Sequence, residues 1–193
     1  MFDRFWKIAR GYVFVCAGLA GMADGGHAGP PGRVKMSLSS SAFKPGNKMP
    51  VKFTGEGEDV SPPLRWTDVP AGVRQFALVC DDPDAPTSEP WVHWVIYGIA
   101  GDVRALPEAI PPRAEIKKPV VARQGKNSWP RGRNVGYRGP MPPPGHGLHH
   151  YRFRLYALGS MYDLSPGIDK RALLKAIRRD VVAEAELVGT YKR

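Results

Sequence analysis

The chain has 193 residues, which suits one domain of roughly 100–200 residues with room for an additional terminal segment. Its 22 glycines and 20 prolines are well above the usual combined share of about 12%, while 42% hydrophobic residues can still form a core. Because proline interrupts helices and glycine weakens them, this composition excludes a pure helical bundle and favours short strands joined by turns. The net charge of +10 suits contact with phosphates, nucleic acid or an anionic membrane.

Residues 1–28 have the pattern of a secretory signal peptide: three basic residues, then a short apolar run, then small residues. The pattern predicts cleavage near Ala23 or Ala28 and export to the periplasm or out of the cell. A retained membrane anchor is the alternative, but the run is shorter than the roughly 20 residues that cross a bilayer. Lipoprotein processing at Cys16 fits less well, because the preceding Val15 is not a small residue.

Five segments are predicted to be strands, because they are short, rich in β-branched and aromatic residues, and bounded by turn-forming residues. They are residues 34–38, 51–54, 75–80, 92–99 and 151–158. The third and fourth are almost continuously apolar, which predicts central strands covered on both faces. The fifth alternates between apolar and basic residues, which predicts one buried face.

A helix is predicted near the C-terminus, opening at Ser165-Pro166 or at Asp169 and ending at Gly189. Apolar residues recur there at helical spacing, namely Leu173, Leu174, Ile177, Val181 and Ala185. Before it, residues 113–134 form a long connection without periodicity that carries seven basic residues and one acidic residue. We interpret this connection as a solvated loop.

Three clusters contain the residues that could carry chemistry. DDPDAP at 81–86 follows the third predicted strand, WVHW at 91–94 opens the fourth, and GPMPPPGHGLHHY at 139–151 leads into the fifth. Each also has a purely structural explanation: aspartate before proline forms turns, a histidine among aromatic residues is often a core residue, and proline-rich runs are often loops. Their combination in one chain favours a functional site.

These three motifs, in this order, resemble the signatures of the phosphatidylethanolamine-binding proteins, most closely the bacterial branch described as Raf-kinase-inhibitor-like. VSPPLRW at 60–66 and AELVGTY at 185–191 extend the resemblance over nearly all of residues 29–193, which we expect to form a single domain. The resemblance implies a mainly β fold. It would be a β-sandwich with a large antiparallel sheet against a smaller one, and with peripheral and C-terminal helices.

The resemblance also implies a small anion pocket, whose residues match this sequence one by one. The implied ligand-binding residues are Asp82, Pro86, His93, Pro143, His149 and Tyr151. The chain departs from the family pattern at His150, where the family usually has arginine, which puts a salt link near the pocket rim in doubt. It also departs at Arg138 and Met141, where bacterial relatives often have glycine and cysteine, and Arg138 adds positive charge beside the rim.

These residue types suit the binding of an anion. The imidazoles of His93 and His149 and the N–H groups of the glycine-rich loop can donate hydrogen bonds to oxyanions, and Tyr151 offers a hydroxyl. Asp82 would repel an anion, so its predicted role is to orient a histidine and to favour the charged form of that histidine. Ligand affinity is therefore expected to weaken as the pH rises through the histidine pKa.

The sequence thus predicts a non-catalytic protein that binds small anionic ligands through phosphate or carboxylate groups, including phospholipid head groups. By the resemblance, it would also modulate a partner protein such as a kinase or a protease. No nucleophile elbow, HExxH or P-loop motif occurs in the sequence, and no cofactor or metal is predicted. The alternative is a hydrolase or metal-dependent enzyme that uses Asp82, His93 and His149, because two histidines and a carboxylate can hold a metal ion.

The basic segment at 113–134 leaves two further interpretations to weigh. Peripheral contact with an anionic membrane or an acidic partner is compatible with its local charge of +6. Nucleic-acid binding is not predicted, because the basic residues do not alternate with aromatic residues along a groove motif and an exported protein seldom meets DNA.

Overall fold

The computed structural model describes residues 36–193, and the predicted signal peptide therefore lies outside the described residues. The described part of the chain contains nine strands and one α-helix, α1, at Lys170–Ile177. The strands are β1 Ser37–Ser39, β2 Leu64–Thr67, β3 Gln75–Asp82, β4 Trp91–Ala100, β5 Ala105–Leu106, β6 Glu115–Ile116, β7 Ala122–Gln124, β8 His149–Leu158 and β9 Val181–Tyr191.

The strands form two antiparallel sheets, as the resemblance implied. The larger sheet has the order β6-β7-β4-β3-β8-β9, and the smaller one has the order β1-β2-β5. The two nearly apolar strands β3 and β4 lie side by side at the centre of the larger sheet, which confirms the prediction that they are covered on both faces. The fold is therefore a mainly β sandwich with a peripheral helix.

Two apolar clusters cover the faces of the larger sheet. The cluster between the sheets joins Leu38, Leu64 and Trp66 of the smaller sheet to alternate residues of β3, such as Phe76 and Leu78. The second cluster covers the other face and packs the remaining residues of β3 and β4 beneath α1, with Ala77, Val79, Val95, Leu173 and Ile177 among its members. Because side chains alternate along a strand, one apolar run such as β3 supplies both clusters.

α1 is short, and the side chain of its N-cap residue supports its first turn. Oδ1 of Asp169 accepts a hydrogen bond from the backbone N–H of Ala172 at 2.7 Å, a common way to satisfy an unpaired donor at a helix start. An ionic cluster ties the helix to the sheet, since the buried Asp81 carboxylate contacts both Lys170 of α1 and Arg154 of β8. The start of the helix at Asp169 agrees with the sequence, but its end does not.

The predicted helix is too long, because residues 181–191 form the edge strand β9. Val181 and Ala185 are four residues apart, a spacing that places two side chains on the same face of a helix and also on the same face of a strand. The intervening residues decide between these readings, since Ala183 is buried and Glu184 is exposed. Gly189 does not end a helix; it lies in β9 against Met49.

Two other expectations also change. Residues Val51–Phe53, predicted to be a strand, form one turn of 3-10 helix after Pro50, in which only Phe53 is buried. The connection at 113–134 contains the short strands β6 and β7 rather than only a loop. Some of its charges are also paired within the protein, as Arg123 is with Asp163. Within residues 36–193, no helix has the length and apolarity needed to cross a bilayer.

Candidate ligand-binding pocket

The three sequence motifs meet at one end of the larger sheet. β3 ends at Asp82, which pairs with Trp91 at the start of the antiparallel strand β4, while β8 begins next to β3 at His149. A pocket of about 240 Å³ opens there between these strand ends and the proline-rich loop at 139–148. All six residues implied by the resemblance line it, namely Asp82, Pro86, His93, Pro143, His149 and Tyr151. Their role in binding a ligand stays a prediction.

A chain of three polar side chains runs from the base of this pocket to its surface. Nδ1 of His149 donates to Oδ2 of Asp82 at 2.7 Å, and both residues are buried. Nε2 of His149 lies 2.8 Å from Nδ1 of His146, which is exposed on the loop. Asp82 therefore orients a histidine, as the sequence suggested, but both nitrogens of His149 are engaged inside the protein. His146 was not predicted from the sequence.

His93 is buried with one of its nitrogens committed to the backbone. Nδ1 lies 2.6 Å from the carbonyl oxygen of Arg138, which can only accept, so Nδ1 carries a proton. Burial lowers the pKa of His93, and this effect outweighs the Arg138 carbonyl and the Asp82 carboxylate, which raise it. The neutral ring therefore presents an unprotonated Nε2. We expected His93 to donate a hydrogen bond to an anion, but the only N–H of its neutral ring is directed at the Arg138 carbonyl.

Tyr151 provides the unused donor of the pocket. Its side chain is 1% exposed, and its hydroxyl forms no hydrogen bond with any residue that the structure describes. Burial raises the pKa of Tyr151, and the nearby Asp82 carboxylate raises it further through its charge and through a weak contact that lies outside ordinary hydrogen-bond geometry, so this hydroxyl stays protonated. The ring meets the His93 ring edge to face at 5.0 Å. A buried hydroxyl without a partner is rare in native proteins and calls for one, such as an ordered water, an ion or a ligand.

Aromatic side chains form one wall of the pocket. The Trp129 ring meets Trp91 at 5.3 Å and His93 at 5.1 Å, both in edge-to-face geometry. The guanidinium carbon of Arg138 lies 4.6 Å from the centre of the Trp129 ring, which keeps a positive charge beside this wall. Trp129 comes from the basic segment that was interpreted only as a solvated loop. The presence of a tryptophan in such a polar segment could have indicated that part of the segment packs against a site.

Backbone contacts hold the proline-rich loop in place. The N–H of Gly139 donates to Oδ1 of Asp59 at 2.6 Å, and the carbonyl of Pro140 accepts from the N–H of Gly55 at 2.8 Å. A side chain at position 139 would not fit, because its Cβ would lie 2.3 Å from the carbonyl oxygen of Phe53. Pro142 adds a rigid backbone where the loop faces the pocket. These contacts hold the start of the loop, at Gly139 and Pro140, against residues 53–59.

His150, which departs from the family pattern, pairs with the other aspartate of the DPD sequence. Its backbone N–H and its Nδ1 both lie 2.8 Å from Oδ2 of Asp84. Burial alone would raise the pKa of Asp84, but the hydrogen bonds from His150 outweigh it and lower the pKa. Asp84 in turn donates its N–H to Oδ1 of Asp82 at 2.9 Å. The rim therefore keeps a hydrogen-bonded contact to Asp84 without the arginine.

Comparison with known proteins agrees with this fold and arrangement. A sequence model of the family described as phosphatidylethanolamine-binding protein matches residues 39–192. The chain is 44% identical over 158 residues to a UPF0098 protein of Methanothermobacter thermautotrophicus, covering 82% of this chain and 99% of that one. It is 38% identical to the Mycobacterium tuberculosis protein named "Putative lipoprotein LppC", covering 84% and 75% of the two chains.

The crystal structure of E. coli YbcL, described as a new member of the mammalian PEBP family, is also similar. It superimposes with a TM-score of 0.74 at 30% identity, covering 82% of this chain and 99% of YbcL. These comparisons confirm the resemblance seen in the sequence. The chain belongs to the phosphatidylethanolamine-binding protein family.

The enzyme alternative gains no support from the geometry of the pocket. Residues 36–193 contain no group of three or more histidine, cysteine, aspartate or glutamate residues that could hold a metal ion together. Asp82 and His149 are hydrogen-bonded to each other, and Nδ1–H of His93 donates a hydrogen bond to a backbone carbonyl. No observation on the described residues favours metal-dependent hydrolysis.

Proposed function

We propose that the pocket binds small oxyanionic groups, phosphate or carboxylate, without catalysing a reaction on them. The observation that carries this proposal is the buried Tyr151 hydroxyl, which lines the pocket and has no partner among the described residues. A ligand oxygen that accepts from this hydroxyl would satisfy it. The free energy of a hydrogen bond to a charged group, about 1.5–3 kcal/mol, is then available for binding.

The size and walls of the pocket support a small ligand or the end of a larger one. Its volume of about 240 Å³ is below the usual range of about 300–1,000 Å³ for small-molecule sites. The aromatic and proline side chains exclude water, so each polar contact inside is stronger than in solution. A phosphate, an acetate or a phospholipid head group has a suitable size, whereas the acyl chains of a lipid would remain outside.

The charge distribution near the mouth supports the approach of an anion. The protein carries a net charge of +10, and Arg138 lies beside the aromatic wall. The Asp82 carboxylate opposes an anion, but His149 donates to one of its oxygens and the Asp84 N–H donates to the other. The attraction is therefore long-range and sensitive to salt, while the contacts inside the pocket determine the specificity.

We place this function outside the cytoplasm, on the basis of the signal-peptide pattern at 1–28. The related protein from Mycobacterium tuberculosis is named a lipoprotein, which agrees with export in the family. Phospholipid head groups at the membrane surface would then be one source of the ligand. Met141 and Leu148 are 45% and 52% exposed on the proline-rich loop and could contact that surface. Modulation of a partner protein stays a prediction from the family resemblance.

The Tyr151→Phe variant tests the proposal. Calorimetric titration of the wild-type protein with acetate and with inorganic phosphate should show saturable binding, and the variant should bind about tenfold more weakly or worse. Its free energy of unfolding should be unchanged or higher, because the variant removes an unpartnered buried hydroxyl. Tyr162→Phe, which removes a hydroxyl outside this pocket, is the matched control and should bind normally. Equal affinity of wild type and Tyr151→Phe, or no binding by the wild type, would overturn the proposal.

A further inference from the structure

The geometry around His93 determines which of its two ring nitrogens carries a proton. Its Nδ1 proton is directed at the Arg138 carbonyl at 2.6 Å, and Nε2 forms no hydrogen bond with any residue in 36–193. A neutral imidazole has one N–H, so the nitrogen left for a ligand is a bare acceptor. It repels the lone pairs of a fully ionised oxyanion unless a proton lies between them.

The other polar groups of the pocket cannot supply that proton without breaking existing contacts. His149 uses Nδ1 on Asp82 and Nε2 on His146, and Asp82 accepts hydrogen bonds on both oxygens. The Tyr151 hydroxyl can donate only one proton. A carboxylate or phosphate placed against both Tyr151 and His93 therefore meets one donor and one acceptor.

The carboxylates around His93 favour the protonated ring, and the negative charge of a bound ligand would add to their effect against that of burial. Asp82 and Asp81 lie on the neighbouring strand β3, and Asp59 lies beyond the Arg138 side of the ring, and all three raise its pKa. Arg138, stacked on Trp129, and the His146–His149 pair are the nearby basic groups. Burial currently outweighs the carboxylates and keeps the ring neutral. An anionic ligand would add a further negative charge next to Nε2.

We infer that the pocket takes up a fully ionised oxyanion, such as a carboxylate, together with one proton from solvent, held between Nε2 of His93 and a ligand oxygen. This inference rests on the proposed function and specifies how that site is regulated. No bond in the ligand breaks; the proton is shared between the ring and the ligand, and the Tyr151 hydroxyl donates to a second oxygen. Between the pKa that His93 has in the free protein and the higher pKa that it has in the complex, one proton is taken up with each ligand, so affinity falls by about tenfold for each pH unit.

Calorimetry of acetate binding to the wild-type protein measures this proton directly. Acetate is fully ionised at mildly alkaline pH, so a proton taken up on binding must come from solvent and bind the complex. Titrations in two buffers with different ionisation enthalpies should give an uptake of about one proton for each acetate. Binding without proton uptake would overturn the inference and leave the proposed function intact, whereas absence of binding would contradict the proposed function itself.

Variants assign the proton to a residue. His93→Gln should lose the uptake and bind acetate with little dependence on pH, because an amide donates without titrating. Tyr162→Phe, which alters a side chain outside the pocket lining, is the control and should keep it. Loss of the uptake in His146→Gln together with its retention in His93→Gln would overturn the assignment, since the proton would then enter the Asp82–His149–His146 chain.

Nitrogen NMR of the wild-type protein gives a test that does not depend on how a variant folds. In the free protein at mildly alkaline pH, His93 should show the shifts of a neutral ring protonated at Nδ1. In the acetate complex both of its nitrogens should show protonated shifts. A His93 signal that keeps the neutral pattern at saturation would overturn the inference.

Discussion

Oδ2 of Asp82 lies 2.7 Å from Nδ1 of His149, and the two side chains are 3% and 1% exposed. This contact joins the last residue of β3 to the first residue of β8, at the point where the DPDAP and proline-rich motifs meet. A buried charge is costly unless it is paired and hydrogen-bonded, and here Asp82 also accepts from the backbone of Asp84. The pair therefore positions the pocket as well as lining it.

Asp82→Asn should destabilise the protein by about 1–3 kcal/mol in urea unfolding, because a charge-assisted buried hydrogen bond is replaced by a neutral one. Asp102→Asn, which changes an exposed aspartate on the turn after β4, is the matched control and should alter stability little. Equal free energies of unfolding for the two variants would show that the Asp82–His149 contact does not stabilise the fold.

Acidification should reduce the stability of the ligand-free protein, and His93 should account for part of the loss. Because the pKa of His93 is lowered in the folded state, the unfolded chain binds this proton first as the pH falls through about 6.5. The stability from the neutral buried ring is thus present above that pH and is lost as the pH falls towards the folded pKa. The lowered pKa of Asp84 acts in the same direction at lower pH.

Urea unfolding of the wild type and His93→Gln between neutral and mildly acidic pH measures this effect. The wild-type free energy of unfolding should fall more steeply than that of the variant, while Asp102→Asn, which changes an exposed residue on the turn after β4, should follow the wild type. A wild-type stability that rises on acidification across this range would contradict a neutral, buried His93.

Gly139→Ala should weaken ligand binding as well as stability. The added Cβ would meet the Phe53 carbonyl at 2.3 Å, and relieving this overlap must displace the loop at a cost of about 1–3 kcal/mol. Gly72→Ala is the control, since Gly72 has a positive φ but open space around it and precedes β3 at the end opposite Asp82. Gly72→Ala should destabilise the fold by about 1–2 kcal/mol yet bind acetate normally. Normal acetate binding by Gly139→Ala would show that the loop position does not matter for the site.

The ionic cluster under α1 should matter for stability but not for the ligand. Removing both cations that contact Asp81, in the double variant Arg154→Met and Lys170→Met, leaves a buried carboxylate unpaired, at a cost of about 3–5 kcal/mol. Lys52→Met, which breaks an exposed pair with Glu108, should change stability little. Acetate affinity of the folded double variant should not fall, because α1 packs on the sheet face away from the pocket and an unpaired Asp81 carboxylate favours protonation of His93. A large loss of affinity would indicate that the two faces are coupled.

Much of the architecture could be predicted from local patterns. The apolar runs of β3 and β4 indicated buried central strands, and the motif resemblance implied the two sheets. β9 was missed because Val181 and Ala185 continue the helical spacing of α1, although the alternation of apolar residues and glutamates at 183–187 is the pattern of a half-buried strand. The turn at Val51–Phe53 was missed for a similar reason, since β-branched composition alone does not show which neighbours are available.

The pocket was predictable in its residues but not in its hydrogen bonds. The resemblance placed His93 and His149 near an anion. No sequence pattern, however, shows that His93 donates a hydrogen bond to the Arg138 carbonyl, or that His149 contacts His146. These contacts depend on how the loop at 139–148 folds over the strand ends. Trp129 was also missed, because it reaches the pocket from a segment distant in sequence.

The most direct measurement is the position of a bound oxyanion. Anomalous diffraction from crystals soaked with selenate at mildly acidic pH would locate the selenium atom without reference to any variant. We expect a selenium peak inside the pocket, with selenate oxygens within hydrogen-bonding distance of the Tyr151 hydroxyl and Nε2 of His93. Selenate bound only at lysines and arginines on the surface, with none between these two residues, would contradict it.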